Sequence, residues 1–262
     1  MLVHLHKSSL LSLIAFGTLF SPLPAQDPGT ANQTAKKENP EEPKPPIVIA
    51  ENTVVTHDVA YTEHIGDKLR TLDLYVPKGA KDAPVFVFIH GGGWNKRDKD
   101  EVGSQPKLFN SAGAIVASIN YRLAPAVHHP ENVKDVAAAI AWLHKNIGKS
   151  GGDPEKIVLM GHSAGSHLAA LVATDGRYLA AHGLRRNQLK GVVSLDGSAF
   201  DIPDRVKNGS PQIADNCRVA FGENVEAQTD GSPMNHIAGE VPLPPFLLIY
   251  RAEGSLNHTQ SK

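Results

Sequence analysis

"KIVLMGHSAGSHLAALVA", residues 156–173, reads as three pieces in a row. An apolar run of strand length ends at Gly161, a turn of small residues carries Ser163 at its centre, and an alanine- and leucine-rich stretch that suits a helix follows. A serine on so sharp a strand-to-helix turn needs small residues two positions to either side, because side chains there would collide with neighbouring backbone. Gly161 and Gly165 meet that need. The turn lifts the Ser163 hydroxyl clear of the sheet, and the helix N-terminus behind it favours negative charge developing there. A G-x-S-x-G pentapeptide alone is a weak signal; its seat between a buried strand and a helix makes it specific.

Outward from this turn the pattern alternates strands and helices. "APVFVFIH" (83–90) and "AIVASINY" (114–121) are continuous apolar runs, as expected where both faces of a parallel sheet are covered. Residues 104–112 supply a helix between them. "PENVKDVAAAIAWLHKNI" (130–147) places Val133, Val136, Ala137, Ile140 and Leu143 on one helical face. "LKGVVSLDG" (189–197) and "PPFLLIYR" (244–251) are two further strands. Upstream, "NTVVTHDVAYT" (52–62) and "RTLDLYVP" (70–77), with "GDK" as a turn between, form an antiparallel opening pair. The whole predicts an α/β fold with a mostly parallel central sheet flanked by helices.

The strand at 83–90 runs into a second glycine-rich turn, "FIHGGGWNKRD" (88–98). Such a turn lets backbone N–H groups approach a substrate carbonyl with no side chain in the way. Gly92 and Gly93, with the amide of Ala164 after the serine, are candidates for an oxyanion hole. A phosphate cradle is disfavoured, since the chain has no G-x-x-x-x-G-K-[ST] and no G-x-G-x-x-G opening a helix. His90 is read as a structural brace for this loop, and His236, in "SPMNHI", as structural too.

Composition narrows the partners. The chain has 262 residues, 41% of them apolar and 20% charged, enough for one sizeable core. A formal net charge of −1 gives no electrostatic reason to expect nucleic acid. Cys217 is alone, so neither an intrachain disulfide nor a cysteine metal cluster can form. Residues 1–25 have the anatomy of a secretory signal: Lys7, an apolar stretch from Leu10 to Phe20, then Pro22, Pro24 and Ala25. That stretch is shorter than the roughly 20 apolar residues a membrane span needs. A secreted or periplasmic protein with no stable membrane anchor after cleavage is the expectation. Leu23, however, departs from the small-x-small cleavage pattern; an uncleaved anchor and a frayed amphipathic N-terminus are the alternatives. Residues 26–46, rich in Pro, Lys, Glu and Asn, read as a disordered linker, with the folded domain at 47–262.

At "HGGGW" (90–94), "NYRLAP" (120–125), "GGDPEKIVLMGHSAG" (151–165) and "SPMNHI" (232–237) the chain resembles the α/β-hydrolase superfamily. More narrowly, it is similar to the esterase and lipase group of hormone-sensitive lipase and the bacterial acetyl-xylan and feruloyl esterases. The resemblance spans residues 54–250 and implies a Ser, Asp and His triad that hydrolyses carboxylic esters without metal or cofactor. It carries Ser163 over as nucleophile and Gly92, Gly93 and Ala164 as the oxyanion hole. It also implies helices over the site from residues 199–224.

The remaining triad members match less directly. The family's acid usually follows the strand that "FLLIY" resembles, where Glu253 and Gly254 stand here. Asp196 is the competing acid, since some members draw it from the earlier strand end; an ordinary turn-capping role is its alternative. His258 follows the last strand, yet only five positions after Glu253. The reading is therefore of a domain lacking the family's last strand and helix, with "FLLIY" as an edge open to self-association. The leading expectation is a secreted serine ester hydrolase acting on a small or polysaccharide-linked ester. A peptidase or amidase on the same fold and a truncated, inactive binding module are the alternatives.

Overall fold

Strands form where apolar residues can be covered on both faces, and the buried runs of this chain do so in one sheet. The computed structural model describes residues 44–64, 66–239 and 241–250. The leader, most of the linker and the tail with Glu253 and His258 lie outside the described residues. Seven strands, β1 (Thr53–Ala60), β2 (Thr71–Pro77), β3 (Ala83–Ile89), β4 (Ile115–Ile119), β5 (Gly152–His162), β6 (Gly191–Leu195) and β7 (Phe246–Ile249), pair in the order β1-β2-β4-β3-β5-β6-β7. β2 pairs antiparallel with both β1 and β4, and every pairing from β4 to β7 is parallel. The α/β expectation and the antiparallel opening pair both hold.

The helices that join the parallel strands divide between the two faces. α1 (Gln105–Ser111) lies beside β2 and β4, where Phe109 packs with Tyr75, Phe88, Val116 and Met160 in the smaller core cluster. α2 (Glu131–Asn146) and α3 (Ala164–Thr174) cover the other face and close the larger cluster. The alternation in β2 serves both: Leu72 and Leu74 enter the large cluster and Tyr75 the small one. Asp73 of the same strand is fully buried, and Lys99 (2.7 Å) and His57 (2.8 Å) sit against its carboxylate. A buried charge of this kind needs such partners.

One boundary differs from the sequence reading. The third parallel strand was expected from Lys156, but β5 begins at Gly152, which pairs with Ala83 before the register breaks and resumes at Ile157 and Val85. Pro154 lies in the break and has no N–H to give the ladder.

The strand order also locates the site. β3 lies between β4 and β5, and the chain leaves β3 towards β4 but returns on the other side as β5. Such a reversal opens a crevice at the carboxyl ends of the two central strands. The loop after β3 and the turn after β5 are the two glycine-rich motifs. After α3 come α4 (Gly176–Ala180), β6, and then α5 (Ile202–Asn208), α6 (Pro211–Phe221) and α7 (Val225–Asp230). α5 and α6 are the helices expected within residues 199–224, and α7 follows that segment. Among the described residues no helix is long and apolar enough to cross a membrane.

Candidate active site

Ser163 stands exposed between β5 and α3 with φ of +52° and ψ of −115°. A non-glycine residue there costs on the order of 1–3 kcal/mol and persists only where its surroundings over-determine it. They do so here. The Ser163 N–H donates to the Leu195 carbonyl at 2.9 Å, and the Ser163 carbonyl accepts the N–H groups of Ser166 (2.9 Å) and His167 (3.3 Å). The space around the turn is closed as the sequence requires. A Cβ on Gly161 would stand 2.2 Å from the Gly165 carbonyl oxygen, and one on Gly165 would stand 2.0 Å from that of Ile89. Ala164, the first residue of α3, is buried beneath the turn.

The loop after β3 meets this turn backbone to backbone. A Cβ on Gly91 would lie 3.2 Å from Ser163 Cβ and 3.0 Å from the His162 carbonyl oxygen. Gly92 (φ +94°) and Gly93 (φ +58°) follow in the left-handed region that glycine adopts freely. On the far side a Cβ at Gly93 would be 2.5 Å from the Asn216 amide nitrogen on α6, whose Oδ1 accepts the Asn95 side-chain N–H at 3.2 Å. The loop is thus held between the serine turn and α6. Ser163, Gly92, Gly93 and Ala164 are brought to one place.

His90 is fully buried and stacked on Tyr121, with ring centroids 4.3 Å apart and planes 12° from parallel. Its Nδ1 lies 2.9 Å from the Gly91 carbonyl oxygen, and the Tyr121 hydroxyl donates to the carbonyls at 90 (3.1 Å) and 91 (3.2 Å). Burial pushes its pKa down to about 4, so at neutral pH it is an uncharged brace. His236 is likewise tied into the fold, with Nε2 2.7 Å from the Asp230 carbonyl oxygen.

Asp196 stands just past β6, one residue beyond the carbonyl that Ser163 binds. Its φ is +53° and its N–H donates to Ile249 at 2.7 Å. That puts a carboxylate at the same strand-end rim as Ser163. Glu253 and His258 lie outside the described residues. No group of histidine, cysteine and carboxylate side chains among the described residues could hold a metal ion.

The sequence reading did not single out Gly91, Trp94, His167 or Asn216. Gly91 belongs to the glycine run and could have been read with it. The other three meet the site through contacts across long stretches of chain, which no local pattern announces.

A model of the BD-FAE family matches residues 72–262. The carboxylesterase NlhH of Mycobacterium tuberculosis is 34% identical over 135 residues, covering 51% of this chain and 41% of its own length. The esterase LipC of the same organism is 32% identical over 196 residues, covering 70% and 48%. The chain therefore spans less than half the length of these two relatives. Among solved structures, esterase B of Lactobacillus rhamnosis superposes with a TM-score of 0.70 at 26% identity, over 82% of this chain and 70% of that one. The family match covers the sheet from β2 onward together with both glycine-rich turns, and on that ground the chain belongs to the BD-FAE family.

Proposed function

We propose that this chain is a serine carboxylic ester hydrolase in which Ser163 is the nucleophile. The observation that carries the reading is the exposed Ser163 at φ +52°, packed against the Gly91 backbone at the head of a buried helix. Its esterase relatives support the same class of reaction.

In this reading Ser163 Oγ attacks the ester carbonyl carbon, and the carbonyl oxygen takes up the negative charge. The N–H groups of Gly92, Gly93 and Ala164 stabilise that oxyanion, with the helix dipole of α3 behind them. A base takes the hydroxyl proton and returns it to the departing alkoxide. Water, activated by the same base, then releases the acid and regenerates the serine. His258 is the histidine that follows β7 in this sequence, and Asp196 or Glu253 would hold its tautomer. The substrate class is a small or polysaccharide-linked ester. Residues 1–25 act as a leader in this reading, so the chain is exported, and intact mass of the exported protein should then correspond to a start at Gln26.

The test is hydrolysis of p-nitrophenyl acetate by the full chain beside Ser163→Ala and His258→Ala. Ser163→Ala should lose nearly all of the wild-type rate, keeping at most the residual rate that an oxyanion hole and binding supply, and equal rates for wild type and this variant would sink the assignment. His258→Ala decides the base: a rate near wild type removes His258 from the mechanism and leaves Ser163 standing.

A further inference from the structure

Trp94 follows the two oxyanion glycines and is the third consecutive residue with positive φ, at +61°. Glycine takes that conformation at no steric cost, whereas a side chain crowds the following carbonyl. Something must therefore hold the tryptophan. Its carbonyl accepts the Ala124 N–H at 2.9 Å, and its indole is buried edge-on to both His167 and Phe221, each with centroids 5.2 Å away. The indole Nε1–H donates to His167 Nδ1 at 3.2 Å, a bond across 73 positions of sequence.

His167 lies one helical turn along α3 from Ser163, and its N–H donates to the Ser163 carbonyl. The ring is fully buried. Because Nδ1 accepts from the indole, the ring hydrogen must sit on Nε2, which donates to the Gly231 carbonyl at 2.7 Å. Both nitrogens are thereby used and the tautomer is fixed. A protonated ring would be a donor at both nitrogens and would lose the indole bond. Burial pushes the pKa down to about 3 and keeps the ring neutral at ordinary pH.

We infer that His167 is a positioning residue of the acyl-transfer site: through the Trp94 indole it fixes the loop of Gly92 and Gly93 to the helix that carries Ser163 and Ala164. The inference rests on the proposed hydrolase reading. An oxyanion hole assembled from two loops works only if both halves keep their separation, since its donors must meet the oxygen within a few tenths of an ångström. Gly91 only sits close against the serine turn, where a Cβ on it would stand 3.0 Å from the His162 carbonyl oxygen and 3.2 Å from Ser163 Cβ, which limits approach but not sliding. The Trp94–His167 bond is directional and ties the end of one loop to the helix of the other.

The test uses Trp94→Phe, His167→Phe and the double variant in the full chain, with p-nitrophenyl acetate hydrolysis as one readout. Losing an oxyanion donor lowers kcat about 10²–10³-fold, so loosening the loop should lower kcat by about 10–100-fold. KM should stay within about twofold, because the interaction lost is one made in the transition state. The double variant should be no slower than the slower single, since both remove one bond. Trp94→Phe keeps the ring packing and decides the matter if His167→Phe does not fold. The second readout does not need catalysis: solvent exchange of the Trp94 indole N–H, assigned by its loss in Trp94→Phe, should quicken at least about tenfold in His167→Phe. A folded Trp94→Phe with kcat within twofold of wild type, or indole exchange unchanged in His167→Phe, overturns the inference alone. A wild-type chain with no Ser163-dependent hydrolysis overturns the functional reading, and the positioning role with it.

Discussion

At Gly165 there is no room for a methyl group, because the Ile89 and His90 carbonyl oxygens would lie 2.0 and 2.6 Å from it. At β7, two strands beyond β5 in the sheet, Phe246, Leu247, Leu248 and Ile249 are 37%, 55%, 37% and 44% exposed. Successive residues of a strand point to opposite faces, so neither face of β7 is covered by the described residues. One region is fixed by backbone contacts, positive φ angles and burial all at once. The other is held to β6 mainly by its backbone ladder. The contrast divides the candidate site as well. The proposed nucleophile and oxyanion donors sit at the closely packed turns, whereas Glu253 and His258 follow the exposed strand in sequence.

The sharpest way to break this contrast is Gly165→Ala. The Ile89 and His90 backbone at the end of β3 leaves the new methyl no room, so the loss should be about 3 kcal/mol or more, read by urea denaturation. A variant as stable as wild type would mean that the turn is looser than its geometry indicates.

Acid should act next. His90 and His167 are buried neutral, with folded pKa values near 4 and 3 against an ordinary 6.5. Between those values the unfolded chain binds more protons, so their contribution is complete above pH 6.5 and is lost as pH falls towards 4 and then 3. At full extent the contribution is roughly 3 kcal/mol for His90 and roughly 5 kcal/mol for His167. Denaturation midpoints measured down that range should fall, and more gently in His167→Phe. An equal slope in the two proteins would contradict the burial of a neutral ring there.

Gly93→Ala is the third step. The residue would keep an unfavourable φ and press on the Asn216 amide, costing about 1–2 kcal/mol of stability. The larger effect should be on rate, with kcat down about a hundredfold if the Gly93 amide serves the oxyanion. Full activity would remove Gly93 from that role.

The smallest effect is expected at the other region. Leu247→Lys should change stability by no more than about 0.5 kcal/mol, and should reduce any self-association through this edge, read by sedimentation. A loss above about 2 kcal/mol would show that Leu247 is buried in solution, and the comparison would then fail.

The parts of this account that were legible in the sequence are those with a local signature. Apolar runs gave the strands, and the small residues flanking Ser163 announced the turn that the structure closes to 2.0–2.2 Å. The antiparallel pair at the start followed from alternation at Leu72, Leu74 and Val76. The early start of β5 was hidden, because Gly152 pairs alone ahead of a register break, and nothing apolar marks it. Trp94 could not be read as left-handed, since that conformation is signalled by glycine and here belongs to a residue held by distant partners. Asn216 meets Gly93 only because α6 folds back over the loop, a tertiary event with no periodicity of its own. Asp196 shows the intermediate case: its strand end was legible, and its place beside Ser163 came only with the pairing of β5 and β6.

The most direct test of the central claim, a serine poised for attack beside its oxyanion donors, is covalent capture. The full chain would be incubated with a p-nitrophenyl alkylphosphonate and analysed by intact mass and peptide mapping. The account predicts one adduct, on Ser163, formed with release of p-nitrophenol and absent from Ser163→Ala. No adduct, or one that persists in Ser163→Ala, would contradict it.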